Sequence, residues 1–328
     1  MYWIIRTFPV HACLVVVILF FVTGCGVSAT TTLTAGQTPI EFTQNIVHMS
    51  LPSGEATQTS SCPTGTALVS GGYAVDAPVS YGLFSVLDSY PSLADGSQVP
   101  SGQAANSWTI HALNKGTTTF DVTVSANCVK GTGVQTITWN VEHNLDPANP
   151  DDATGQTMDL NCQNTQYPTI TGGGYTQRPS NPSLGNLGSF VTETYPTAVQ
   201  DLSTQTWHLH AVLGIVREFV ICTQGLFLHQ MSVTPISTKT DPLQQNQVNG
   251  TLQCPAATIL VGGGYTVRDP HNNFPAVAPT FANTTNATGV PDFTVWHVGG
   301  KYTMPYDETQ NIQLTGIAMC DADQRLYH

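Results

Sequence analysis

The segment CPAATILVGGGYTV, residues 254–267, places three consecutive glycines directly after the apolar run Ile259-Leu260-Val261. Glycine inside a strand loses packing and carries a large entropic cost, so such a tract requires a structural reason. Related segments occur twice more, as CPTGTALVSGGYAV at residues 62–75 and as CQNTQYPTITGGGYTQ at residues 162–177. The recurrence predicts three copies of one structural unit, each opened by a cysteine.

The elements around the glycine tract recur in the same order in each copy. An apolar strand comes first, then the glycine segment, a Tyr-Pro phrase, a tryptophan strand and an apolar strand that ends in cysteine. This order predicts three repeats of about 95 residues with about five strands each. The expected repeats span 41–130, 131–224 and 225–328. The leading strands are NIVHMSL (45–51), TITWNVEH (136–143) and LFLHQMSV (226–233), and the Tyr-Pro phrase is LDSYPS (87–92) and TETYPT (192–197), replaced by VAPTF (277–281) in the third repeat.

Each repeat combines a strand that lacks side chains with a strand that carries a tryptophan. Because a glycine-rich strand lets a bulky ring or another backbone approach closely, we expect each indole to cover the glycine tract of its own repeat. A phosphate-binding loop would instead need a following helix and usually a nearby lysine, and the sequence offers neither. The residues in these structural roles are Gly71, Gly72, Gly173, Gly174, Gly263, Gly264, Trp108, Trp207 and Trp296, with Tyr73, Tyr175 and Tyr265 beside them.

The repeats also select a disulfide pattern. Of the eight cysteines, Cys13 and Cys25 lie near the N-terminus. The other six open a glycine segment or close a last strand, and the two members in each repeat are separated by 66, 60 and 66 residues. Sequence alone rarely chooses among the pairings of six cysteines, but the repeat symmetry does. It predicts the bridges Cys62–Cys128, Cys162–Cys222 and Cys254–Cys320. A metal site would need closely spaced ligands such as CxxC, which the chain lacks.

The N-terminus, MYWIIRTFPVHACLVVVILFFVTGC, indicates export. Arg6 precedes an apolar run at 12–22 that ends in Thr-Gly-Cys, which is the layout of a secretory signal. The ending VTGC resembles the lipobox of bacterial lipoproteins. That resemblance implies loss of a signal peptide at 1–24, a lipid on Cys25, and anchoring at the extracytoplasmic face of the cell membrane. The Thr-rich residues 25–40 are typical of a flexible tether. The alternative is an uncleaved anchor at 8–27.

Composition excludes nucleic acid as a partner and favours β-structure. Only 9% of the residues are charged, and the formal net charge is −12. Such a chain repels phosphate backbones, and no cluster of lysine or arginine offsets the repulsion. Strand-forming residues and frequent turn residues, without a long helical apolar stripe, predict an all-β protein.

Short connections constrain how the repeats join. Only VKGTGVQ follows Cys128, and only TQG follows Cys222, before the next leading strand. Connections of this kind are typical of hairpins, so we expect each closing strand to pair with the leading strand of the next repeat. By the same logic residues 312–320 return to pair with residues 45–51, which closes a ring and protects two sheet edges.

The predicted fold class is all-β, with three pseudo-threefold antiparallel repeats arranged β-prism-like or as a closed ring of Greek-key sheets. Three abutting β-sandwiches are the alternative. The Cys-Pro-x-Gly phrase at 62–65 resembles the vitelline membrane outer layer protein family, which implies a β-prism, although its repeats are about half as long. The Cys…GGGY…YP…W…Cys pattern as a whole is similar to repeats of uncharacterised exported bacterial proteins.

The sequence contains no recognised catalytic pattern, such as GxSxG, HExxH, a Walker loop or an EF-hand. Asp88 and Glu193 stand at matching positions, two residues before the tyrosine of the Tyr-Pro phrase, and are interpreted as turn-capping or solvated carboxylates. His208 and His210 project from one strand face and are weak candidates for a metal pair, which would need a third ligand. We therefore expect no cofactor and no enzymatic activity.

Two functional hypotheses of different kinds follow. The first is a surface-anchored module that binds carbohydrate or a cell-wall polymer through long loops, which the sequence places at 76–85, 144–158, 179–189 and 269–292. The second is a structural envelope protein without a small ligand. An extracellular hydrolase using a carboxylate pair is a more distant third.

Overall fold

The computed structural model of the chain describes residues 40–76, 84–145, 155–178, 190–197, 205–212, 214–226, 228–236, 247–256, 258–268, 277–283, 293–302 and 313–321. All of them belong to one compact unit, Thr38–His328. The regular structure of this part of the chain consists of strands. They are β1 Glu41–Leu51, β2 Gly54–Ser61, β3 Ala67–Asp76, β4 Phe84–Ser92, β5 Ser107–Asn114, β6 Phe120–Lys130, β7 Gln135–Leu145, β8 Gln156–Asn161, β9 Thr169–Arg178, β10 Phe190–Thr197, β11 Thr206–Val212, β12 Gly214–Gln224, β13 Leu228–Ile236, β14 Gln247–Gln253, β15 Ile259–Arg268, β16 Val277–Asn283, β17 Val295–Tyr302 and β18 Gln313–Asp321.

Within the described residues each repeat contributes six strands, one more than the sequence predicts. The additional strands are β2, β8 and β14, each of which ends immediately before an opening cysteine. Their sequences, GEATQTSS, QTMDLN and QVNGTLQ, contain few apolar residues. Burial nevertheless alternates along β8, where Met158 and Leu160 are buried between exposed neighbours. That period-2 alternation is the signal from which the strand could have been predicted.

The strands form three six-stranded sheets with matching order. Sheet A is β1-β6-β3-β16-β17-β14, sheet B is β7-β12-β9-β4-β5-β2, and sheet C is β13-β18-β15-β10-β11-β8. In every sheet the first, sixth and third strands of one repeat adjoin the fourth, fifth and second strands of another. Each sheet is therefore shared by two repeats, and each repeat is divided between two sheets. The fold is all-β and β-prism-like, whereas abutting sandwiches would keep every sheet within one repeat.

The expected pairing of each closing strand with the next leading strand is wrong. The closing strand β6 pairs on one side with β1 and on the other with β3, and β12 pairs in the same way with β7 and β9. Both edges of each closing strand are thus hydrogen-bonded within its own repeat. The short connection 131–134 consequently carries the chain out of sheet A and into sheet B instead of forming a hairpin.

The ring closes, but through different strands from those expected. The last strand, β18, pairs with β13 and β15, so residues 312–320 do not pair with residues 45–51. The repeats join where a glycine-rich strand meets a Tyr-Pro strand, at β4–β9, β10–β15 and β16–β3. The β16–β3 junction, in which Ala282 pairs with Tyr73, connects the third repeat to the first.

The tryptophans cover the glycine tracts, as the sequence predicts. The indoles of Trp108, Trp207 and Trp296 lie directly against Gly71, Gly173 and Gly263 of their own repeats. All three side chains are buried, and each indole N–H donates a hydrogen bond. Other glycines of these tracts allow the backbone of another repeat to approach closely. Gly172 lies against the Val69 carbonyl, and Gly262 lies against the Thr171 carbonyl. The three glycine-rich strands therefore pack against one another around the pseudo-threefold axis, at a distance that side chains would prevent.

The three predicted disulfides are present. They join Cys62 to Cys128, Cys162 to Cys222 and Cys254 to Cys320, each with a Cα–Cα distance of 5.7 Å. In every repeat the opening cysteine follows the second strand, while the closing cysteine lies in the sixth strand, which belongs to a different sheet. The three bridges consequently connect sheet A to B, B to C, and C to A.

Candidate functional site

Polar side chains gather on the face of sheets B and C that is opposite the tryptophans. In sheet B the Tyr-Pro strand β4 pairs with β5, and the register places Pro91 opposite Trp108 and Asp88 opposite His111. Directly opposed residues of an antiparallel pair project to the same face, and successive residues along a strand project to opposite faces. Asp88 and His111 therefore share the face away from the indole.

In sheet B, His111 lies between two carboxylates, and we call Glu55, His111 and Asp88 the His111 cluster. Its Nδ1 is 3.0 Å from Asp88 Oδ2, and its Nε2 is 3.2 Å from Glu55 Oε2. The hydrogen bond with Asp88 is the main cause that raises the pKa of His111. Asp88 is held in turn by the backbone N–H of Gln177, which donates to Oδ1 at 2.7 Å. The cluster lies within the first repeat, and the contact with Gln177 links it to β9 of the second repeat.

Sheet C carries a related His208 cluster, formed by Asp159, His208, Glu193 and Tyr195. The imidazole Nδ1 lies 2.9 Å from Asp159 Oδ1, and Nε2 lies 3.4 Å from Glu193 Oε2. Burial alone would lower the pKa of His208, but the two carboxylates outweigh it and raise that pKa. The Tyr195 ring packs on the imidazole with centroids 4.7 Å apart. The Asp159 side chain is 51% exposed and Tyr195 is partly exposed, whereas Glu193 is buried.

Asp88 and Glu193 are therefore strand residues that bind histidine, and the turn-capping interpretation is wrong. The sequence correctly indicates that they occupy equivalent positions. It does not reveal their histidine partners, because those depend on strand pairing. The second carboxylates, Glu55 and Asp159, lie in β2 and β8, the strands that were not predicted.

The two metal candidates have different partners in the structure. His208 is bound by carboxylates, whereas His210 Nδ1 lies 2.6 Å from the Thr192 hydroxyl and its ring packs against Gly155. In the described ranges, no three His, Cys, Asp or Glu side chains are grouped in a way that could hold a metal ion.

The chain segment that follows β4 covers Tyr90 of sheet B, whereas the equivalent Tyr195 of sheet C is partly exposed. Residues 93–106 follow β4, and the Tyr90 hydroxyl donates to the Gly96 carbonyl within this segment at 2.7 Å. Tyr90 is only 8% exposed. The equivalent Tyr195 is followed by a connection of eight residues rather than fourteen, and it remains partly exposed.

The covering segment also binds the edge of sheet B. The Gly102 N–H donates to the Thr138 carbonyl at 2.8 Å, and the Thr138 N–H donates to the Gln103 carbonyl at 2.7 Å. Thr138 belongs to β7, which is the outermost strand of the sheet. Since unpaired edges invite association with other chains, this contact protects the edge.

A buried carboxylate, which the sequence does not predict, lies in the second repeat. Glu218 in β12 is fully buried, and among the described residues neither of its oxygens has a hydrogen-bond partner. The imidazole Nε2 of His143 lies 3.8 Å from Oε2. Burial raises the pKa of Glu218, and His143 offsets this only in part. A folded state that must desolvate this carboxylate is destabilised when the group ionises.

We expect Glu218→Gln to increase stability at neutral pH. Because the pKa of Glu218 is raised above its ordinary value of 4.5, the folded state retains a proton there that the unfolded state has lost. Stability therefore falls as the pH rises from 4.5 towards the folded pKa. Replacement by glutamine removes that fall, and the gain at neutral pH should be about 1 to 2 kcal/mol. Urea unfolding at several pH values measures it.

The neighbouring Glu142→Gln is the matched control for this prediction. Hydrogen bonds from Arg217 and Arg178 lower the pKa of Glu142, so its replacement should slightly reduce stability at neutral pH. An unchanged pH dependence of stability in Glu218→Gln would contradict the assignment of a destabilising carboxylate.

Several predictions from sequence lie outside the described residues. They include the signal peptide at 1–24, Cys13, the lipidation site Cys25 and most of the long loops. The tether prediction needs one change, because Ile40 is buried against the fold. The 269–292 segment is not a single loop, because β16 crosses it. Within the described ranges, no helix is long and apolar enough to span a bilayer.

The fold and its bridges define a disulfide-bonded, all-β protein built from three repeats. Comparison with models of known protein families finds no match. Comparison with the sequences of curated proteins also finds no match.

Proposed function

We propose that the protein is a lipid-anchored, extracytoplasmic binding module that recognises an uncharged carbohydrate or cell-wall polymer without catalysing a reaction. The His208 cluster is the observation that carries this proposal. It holds two carboxylates and an imidazole beside a partly exposed tyrosine ring on a rigid sheet.

The chemistry of the His208 cluster suits a polyhydroxylated ligand. Carboxylate oxygens accept hydrogen bonds from sugar hydroxyls, and hydrogen bonds to a charged group are stronger than neutral ones. The Tyr195 ring supplies an apolar face on which a sugar ring can pack. The net charge of −12 disfavours an anionic polymer.

The same geometry supports a non-catalytic role. A general base needs one free imidazole nitrogen to accept a proton from the nucleophile or water. In His208 both nitrogens face carboxylates, and its raised pKa favours the protonated form. The imidazole bridges Asp159 and Glu193 and thereby fixes both carboxylates in place.

A glycan array probed with residues 38–328, the compact unit, tests the proposal. We expect saturable binding to neutral glycans or wall fragments. Loss of a charged hydrogen bond should weaken binding about tenfold in Asp159→Asn, and Tyr195→Ala should show a comparable loss. Glu55→Gln is the matched control, because it alters the related His111 cluster, beside which Tyr90 is covered.

Three other outcomes would contradict the proposed function. No saturable binding to any glycan would favour the structural envelope protein. Equal losses in Asp159→Asn and Glu55→Gln would show that the His208 cluster is not the specific site. Release of reducing ends from a bound polymer would identify a hydrolase.

The lipid anchor is tested separately at Cys25. We expect Cys25→Ala to accumulate as an unprocessed precursor without incorporated fatty acid, because lipidation of that cysteine precedes cleavage in a protein with a lipobox. Metabolic labelling and gel mobility measure both properties, with Cys13→Ala as the control. A labelled product of mature size in Cys25→Ala would refute the anchor.

A further inference from the structure

The tyrosines that follow the glycine tracts converge at the centre of the molecule. Tyr73, Tyr175 and Tyr265 are each at most 3% exposed. They line a cavity together with glycines of all three tracts and with Trp108, Trp207 and Trp296. The cavity offers about 20 Å³ to the centre of a water-sized sphere. Its lining comes from all three repeats, so it forms only when the ring closes.

The hydroxyl groups at this centre are close neighbours, and the Tyr265 hydroxyl interacts with both Tyr73 and Tyr175. Burial raises the pKa of all three tyrosines well above 10, followed by the influence of the neighbouring tyrosines, so each hydroxyl is neutral. Among the described residues, nothing completes a hydrogen bond of normal length and angle with the Tyr265 hydroxyl. Leaving a buried hydroxyl without a hydrogen-bond partner costs about 1 to 3 kcal/mol.

We propose that the central cavity binds one water molecule, hydrogen-bonded to the Tyr265 hydroxyl and to the other two tyrosines. A buried water needs about 10 to 15 Å³ of such space and two to four polar partners. The cavity meets both conditions and has no room for an organic ligand. A water can donate two hydrogen bonds and accept two, which allows it to complete a network of three hydroxyls.

Water suits the cavity better than a halide ion. The residues that line it are Gly, Tyr, Trp, Ser and Thr, so none of these lining groups carries a positive charge. Burying an anion without a compensating charge is strongly unfavourable, whereas a neutral water loses little when its hydrogen bonds are replaced.

The stability change in Tyr265→Phe is the first test of this proposal, and internal density then distinguishes a bound water from direct bonds of Tyr265 to Tyr73 and Tyr175. If the water is bound, the variant removes one of its partners, and the thermal midpoint should fall by about 2 °C or more. If the Tyr265 hydroxyl is unsatisfied, the variant removes a destabilising group, and the midpoint should stay the same or rise. Tyr167→Phe is the control, because the Tyr167 hydroxyl binds Gln135 at the exposed surface.

A crystal structure of the protein at a resolution that orders internal water provides the second readout. We expect one density peak within hydrogen-bonding distance of the Tyr265 hydroxyl and at least one other tyrosine hydroxyl. A centre without density would overturn the proposal. So would an anomalous bromide signal there after exchange of chloride for bromide, or a midpoint that depends on halide at constant ionic strength.

Discussion

The double replacement Cys162→Ala and Cys222→Ala is expected to destabilise the protein by about 4 kcal/mol, which is the chain-entropy contribution of a loop of about 60 residues. This bridge connects β12 of sheet B to the end of β8 in sheet C. Because each sheet is shared by two repeats, loosening this contact should affect more than the second repeat. Denaturant unfolding without reducing agent, which keeps the other two bridges intact, measures the loss of stability. Protection from proteolysis in each repeat shows which repeats are affected.

Reduction of the unaltered protein is the control for the disulfide variant. It opens all three bridges and should therefore produce a larger loss of stability than the double replacement. Peptide mapping without reduction must also recover Cys162 linked to Cys222 in the unaltered protein. A loss below about 1 kcal/mol in the variant would contradict the bridge's role in holding the sheets together.

Gly173→Ala is expected to cost about 3 kcal/mol, at the upper end of overpacking effects. A methyl carbon built on Gly173 would lie 2.6 Å from the Phe219 carbonyl oxygen and closer still to the Trp207 indole. Neither neighbour can move easily, because the carbonyl belongs to β12, which pairs directly with β9, and the indole is buried. The midpoint of urea unfolding measures the loss.

Gly65→Ala separates this steric effect from the general cost of replacing glycine. Gly65 has a φ of 84°, and nothing lies within 4 Å of a methyl group built there. Its replacement should cost about 1 to 2 kcal/mol from backbone strain alone. If Gly173→Ala costs no more than Gly65→Ala, the contact between the indole and the glycine tract is not the reason for the tract.

The sequence by itself determined the features that repetition makes visible. Three occurrences of the same cysteine, glycine and tryptophan order predicted the all-β repeats, the disulfide pairs and the contact of Trp207 with Gly173. These predictions are correct because the same order of residues occurs independently in each repeat. A tryptophan in one strand and glycines in another also predict directly that the ring packs where side chains are missing.

Only the tertiary structure decided which strands pair and which polar groups meet. The short connection after Cys128 limits the distance to the next strand, but its length does not determine to which sheet that strand belongs. Both edges of β6 are already occupied within its repeat, so the chain must enter another sheet. The His208 cluster likewise combines three strands, and its Asp159 lies on β8, whose sequence contains few apolar residues and which was not predicted. Hydrogen-bonded pairing and side-chain clusters are non-local, so their energies depend on register and closure rather than on the composition of any one segment.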